Sequence, residues 1–139
     1  MTQEEKQLLL KDLCGRLLYG AVMNVTEPGD ARVNFNCFLG PDTIKEIISE
    51  TGHFKYKPYF RPMSSMTEEE EKELKVKFNY SKRSPLSIRY HSDGYWDDDT
   101  SCDFSAYLWF IDWLNAHHFD YRGLIKKGLA LEAPEGMYK

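Results

Sequence analysis

A chain of 139 residues with 14% aromatic side chains fits one domain of ordinary size and can bury a core, which excludes whole-chain disorder. A net charge of −4 lacks the basic surplus usual in a nucleic-acid binder. Three cysteines, Cys14, Cys37 and Cys102, are odd in number and widely spaced, so neither a disulfide framework nor a zinc knuckle is written here.

Thr2 and Glu5 form a capping box that opens the first predicted helix. Leu9, Leu10, Leu13, Cys14, Leu17 and Leu18 recur at helical spacing behind it, and Cys14 reads as a core residue of that face. Gly15 costs the helix about 1 kcal/mol relative to alanine, which packing must offset. Gly20 is a left-handed stop. Residues 19–25 and 32–38 then read as strands joined at the turn Glu27-Pro28-Gly29-Asp30. Val33, Phe35 and Cys37 alternate with polar residues in the second strand, which predicts a half-buried hairpin.

Ile44, Ile47 and Ile48 predict a short helix, with a strand as the rival, and Gly52 ends it. Pro58 and Pro62 force residues 55–62 into an extended or turned path, taken here as a loop. Ser64, Ser65 and Thr67 offer caps to a helix that opens with Glu68 to Glu71, acids that the helix dipole favours at an N-terminus. Its end is ambiguous, because Val76, Phe78 and Tyr80 also alternate with period two. Residues 81–100 are loop-rich. Phe104, Tyr107, Leu108, Ile111 and Leu114 form one face of the last long helix, and Trp109, Phe110 and Trp113 widen it. Asp120 caps a further turn that Gly128 closes, and residues 133–136 form a turn.

The longest apolar run, residues 106–111, is too short to span a bilayer, and the polar start of the chain is no signal peptide. The expectation is a cytoplasmic protein without membrane association.

Three segments carry a resemblance: LLLKDLCGRL at residues 8–17, KPYFRPMSSMTE at 57–68 and DWLNAHHFDYRGLI at 112–125. The chain resembles a family of short uncharacterised proteins from gut anaerobic bacteria and their phage-like or mobile elements. That family carries Leu-Pro-Tyr-Gly after the first helix, where Leu17-Leu18-Tyr19-Gly20 stands here, so a different helix exit is implied. The resemblance implies a setting in a mobile gene set and assigns no catalytic residue.

Candidate sites are few. His117, His118, Asp120 and Arg122 could be an acid–base or metal cluster. The preferred reading is structural: two histidines at a helix C-terminus, with Phe119, Asp120, Tyr121, Arg122 and Gly123 holding the chain against a large apolar surface. Adjacent histidines point to different sides of a helix, which argues against one shared ion. Asp93, Asp97, Asp98 and Asp99 lack the ligand order of a calcium loop. Cys102 has no base beside it in sequence, and no phosphate loop, Ser-His-Asp order or H-E-x-x-H occurs.

Residues 55–61 interleave Lys55, Tyr56, Lys57, Tyr59 and Arg61, a composition suited either to binding or to aromatics laid on a core with wet cations. Residues 74–91 hold no acid, and residues 92–120 hold seven aspartates and no Lys or Arg; such neighbouring blocks neutralise each other. The reading is a single α+β domain over residues 1–139, with a small antiparallel N-terminal sheet packed by about three main helices. Its expected role is a non-enzymatic binding or adaptor protein with a protein partner and no metal or cofactor. The rivals are weak nucleic-acid binding through residues 55–61 and 74–91, and a small enzyme using His117, His118 and Asp120.

Overall fold

Reciprocal hydrogen bonds start the chain: Glu5 N–H donates to Thr2 Oγ1 (3.1 Å) and Thr2 N–H to Glu5 Oε2 (2.8 Å). They cap α1 (Gln3–Arg16). The computed structural model describes residues 1–49, 54–78 and 104–138. Among these are four α-helices and a four-stranded mixed sheet, an α+β fold with the sheet near the N-terminus. The chain forms two compact units, Met1–Pro62 with Asn115–Lys139 and Met63–Leu114.

The first unit is built on the hairpin of β1 (Val22–Glu27) and β2 (Asp30–Phe38), whose turn places Gly29 at φ 89°. Backbone in this left-handed region is what glycine tolerates without a Cβ clash. Next comes α2 (Pro41–Ser49), the helix alternative for the three isoleucines. Then β3 (Lys55–Phe60) pairs antiparallel with β1, and β4 (Leu131–Glu132) adds two parallel residues, giving the order β2-β1-β3-β4.

Strand alternation sets the two faces. Met23 and Val25 are buried, and their register partners Cys37, Phe35, Pro58 and Tyr56 share that face. The core joins it to the helices: Leu9 and Leu13 of α1, Ile47 of α2, Met23, Phe60, and Leu124, Leu129 and Ala130 from the C-terminal segment. On the opposite face Asn24 Nδ2 donates to Asn34 Oδ1 (2.8 Å) and Asn36 Oδ1 (3.2 Å), with Lys55 and Lys57 on the neighbouring strand.

Several expectations are corrected. Residues 55–60 form a strand rather than a loop, because Pro58 needs no N–H partner where its main chain faces away from β1. Cys14 is exposed and Leu18 is 90% exposed. The buried stripe of α1 is Leu9, Asp12, Leu13 and Arg16, so a charged pair occupies positions next to the leucines. Gly15 admits Asn115: a Cβ there would stand 3.2 Å from Asn115 Nδ2. The chain leaves α1 through a turn ending at Gly20, φ 70°, and the first strand starts at Val22.

In the second unit Thr67 and Glu70 exchange hydrogen bonds (3.2 and 3.0 Å) to cap α3 (Glu68–Phe78), which includes Val76 and Phe78, while Tyr80 lies outside the described residues. The final helix, α4 (Phe104–Ala116), buries Phe110, Trp113 and Leu114, while Leu108 is half exposed, against expectation. Trp113 Nε1 donates to Glu73 Oε1 (3.1 Å). The sequence readings on Gly52, on residues 81–100, on Asp93 and Asp97–Asp99, and on Cys102 lie outside the described residues. No helix among the described residues is long and apolar enough to cross a membrane.

Candidate functional site

Beyond α4 the chain turns sharply at His118, a non-glycine residue at φ 63°. His118 carbonyl accepts from Arg61 N–H (2.7 Å), and Arg61 carbonyl accepts from Asp120 N–H (2.8 Å), so the expected structural motif is stitched to the end of β3. Asp120 then spends both carboxylate oxygens on backbone, accepting from Leu124 N–H (2.8 Å) and Ile125 N–H (3.0 Å). Gly123 follows at φ 73°. Phe119 is fully buried beneath the Arg61 guanidinium, 4.2 Å from its ring centroid.

Arg16 lies at the centre of this region, with its side chain fully buried. It binds Asp12 through Nε (2.7 Å) and Nη2 (3.2 Å), donates to Phe119 carbonyl (2.6 Å), and lies 3.9 Å above the Phe60 ring. Arg122 Nε approaches Asp12 Oδ1 at 3.3 Å. Burial pushes the Asp12 carboxyl above its ordinary value, and Arg16 and Arg122 draw it back only in part. The His118 imidazole stacks on Tyr138 at 3.6 Å. Burial, then the charges of Arg16, His117 and Arg61, lower its pKa to about 4. His118 is stacked and neutral, and Asp120 has both carboxylate oxygens on backbone amides, so the two side chains hold the chain here. Among the described residues no group of three or more His, Cys, Asp or Glu could hold a metal ion.

The second feature is a cleft of about 380 Å³ in the same unit. Lys55, Tyr56 and Lys57 of β3 form one wall and Lys127, Gly128 and Leu129 the other, with Leu9 of α1 and Ile47 of α2 between them. Tyr56 Oη donates to the Glu46 carboxylate, and burial followed by this acid pushes the phenol up to about 12, so it remains a proton donor. Burial also raises the Cys37 thiol, which keeps it protonated and poorly nucleophilic. Glu5 and Glu46 are the acids of the cleft. Glu5 is held by the α1 capping box and Glu46 by Tyr56.

The five binding candidates of the sequence therefore separate. Lys55, Tyr56 and Lys57 reach the cleft. Tyr59 carbonyl accepts from the Tyr138 hydroxyl (2.8 Å), and Arg61 is committed to Phe119 and to His117 carbonyl (3.3 Å). Sequence reasoning missed Lys127, Leu129 and Glu46, which no local pattern connects to β3. It also missed the Asp12–Arg16 pair, although positions 9, 12, 13 and 16 follow one helical stripe and could have shown it. No family model, curated protein or solved structure matches this chain.

Proposed function

We propose that this chain is a non-enzymatic binding protein whose cleft beside β3 receives part of a partner protein. The observation that carries this reading is the lining of the cleft: apolar Leu9, Ile47 and Leu129 under a rim of exposed Lys55, Lys57 and Lys127. Apolar surface with a few fixed polar groups suits recognition. The engaged state of Asp120 and the neutral His118 support binding over catalysis at the other candidate cluster. The resemblance to proteins of mobile elements in gut anaerobes offers a setting in which such an adaptor acts, and cytoplasmic residence belongs to the same proposal.

The nucleic-acid rival has less support. Tyr56 and Tyr59 are half-buried, and the Tyr56 hydroxyl is held by Glu46, so the lysines of β3 lack tyrosine rings free for base stacking. The test is affinity capture with the wild type and with Lys55→Glu/Lys57→Glu/Lys127→Glu. Protein captured by the wild type and lost with the variant is the expected result. Captured nucleic acid released by salt would replace this reading with its rival.

A further inference from the structure

We infer that the cleft takes an extended acidic peptide as an added strand on the open edge of β3. This inference rests on the binding reading above and specifies the partner's chemistry. It begins with the sheet. On one side β3 pairs with β1 from Lys55 to Pro58. On the other side β4 pairs only with Tyr59 and Phe60. The Phe60 carbonyl accepts from Ala133 N–H (2.8 Å), so the main chain of Phe60 faces the β4 side. A strand repeats every second residue, which directs the main-chain groups of Pro58 and Tyr56 the same way. The Pro58 C=O lies where the Tyr59–Leu131 register brings Leu131 N–H to it, so the edge left open toward the cleft is the N–H and C=O of Tyr56, with no strand beside them among the described residues.

The walls of the cleft are these two segments diverging. They meet at Tyr59 and Leu131, and farther along Lys55–Lys57 stands opposite residues 127–129, with the cleft between. An unpaired edge is a template for another strand. The two faces of that strand would meet different surroundings. One face lies over Leu9 and Ile47. The other continues the outer sheet face that carries Lys55 and Lys57. The lining carries three lysines, Lys55, Lys57 and Lys127, against two acids, Glu5 and Glu46, a formal surplus of one positive charge. The matching ligand alternates aliphatic and acidic residues.

Fluorescence anisotropy with a short peptide alternating valine and glutamate tests this, using the full chain. Binding should weaken with salt. It should fall roughly tenfold or more when the peptide amides facing β3 are N-methylated, because the added-strand hydrogen bonds are lost. Lys55→Glu/Lys57→Glu/Lys127→Glu should lose binding to a similar extent with an unchanged Tm, since all three side chains are exposed. A composition-matched peptide without alternation should bind more weakly. Equal binding of the N-methylated peptide overturns strand addition, and so does displacement of the peptide by a single-stranded oligonucleotide that binds more tightly. If the peptide does not bind while affinity capture still yields a protein lost with the triple variant, strand addition fails and the broader binding reading survives. If both fail, the cleft is not a binding site.

Discussion

The imidazole of His118 lies on the phenol ring of Tyr138 with centroids 3.6 Å apart and planes inclined by 13°. The stack closes the C-terminal segment over the start of the sheet, and burial, then the charges of Arg16, His117 and Arg61, keep the imidazole neutral, with a pKa of about 4 against an ordinary 6.5. The unfolded chain therefore takes up this proton first as the pH falls. The stabilisation is complete above pH 6.5, declines as the pH falls toward 4, and amounts to on the order of 3 kcal/mol. Denaturant titrations from pH 7 to pH 4 should show this decline in the wild type. His118→Asn, which tolerates the left-handed backbone, should show a smaller one. Comparing the two removes the contribution of Asp12, whose raised pKa acts in the opposite direction. Identical pH profiles would contradict the assignment.

The Asp12–Arg16 pair is a buried charge pair inside an apolar stripe. Replacing one partner strands the other in the interior. Arg16→Met should therefore cost about 3–5 kcal/mol. Asp12→Leu/Arg16→Met should cost less than the sum of its single changes, since no buried charge is left alone and the half-exposed Arg122 can return to water. Chemical denaturation of the singles and the double gives the coupling directly, and simple additivity would count against the pair.

Phe119 and Asp120 separate packing from capping. Phe119→Ala empties a fully buried site and should cost about 3–5 kcal/mol. Asp120→Ala releases the amides of Leu124 and Ile125 and should cost about 0.5–2 kcal/mol. Denaturation midpoints should rank the two in that order. If neither variant loses stability, the structural role of this segment fails and a functional one becomes the better account.

The Tyr138 hydroxyl accepts from Val22 N–H and donates to Tyr59 carbonyl, each at 2.8 Å, bridging β1 and β3 where no direct bond joins them. Tyr138→Phe retains the ring on His118 and removes only this bridge. It should cost about 1–3 kcal/mol and speed hydrogen exchange at the Val22 amide. Unchanged exchange there would show that the bridge is not needed.

Residue order alone determined the local structures. The capping boxes at Thr2 and Thr67, the hairpin turn at Gly29 and the Asp120 cap each join groups within five residues, so the residue types suffice to specify them. The α+β class followed from the same periodicities. Tertiary structure decided what local pattern could not. Arg16 is buried because Asp12, the Phe119 carbonyl and the Phe60 ring, remote from one another in sequence, converge on it. Residues 55–60 form a strand because β1 supplies their hydrogen-bond partners, which outweighs the signal of the flanking prolines. The cleft exists because residues 127–129 leave β3 just where β4 ends, a separation that depends on long-range pairing and leaves no periodicity in the chain.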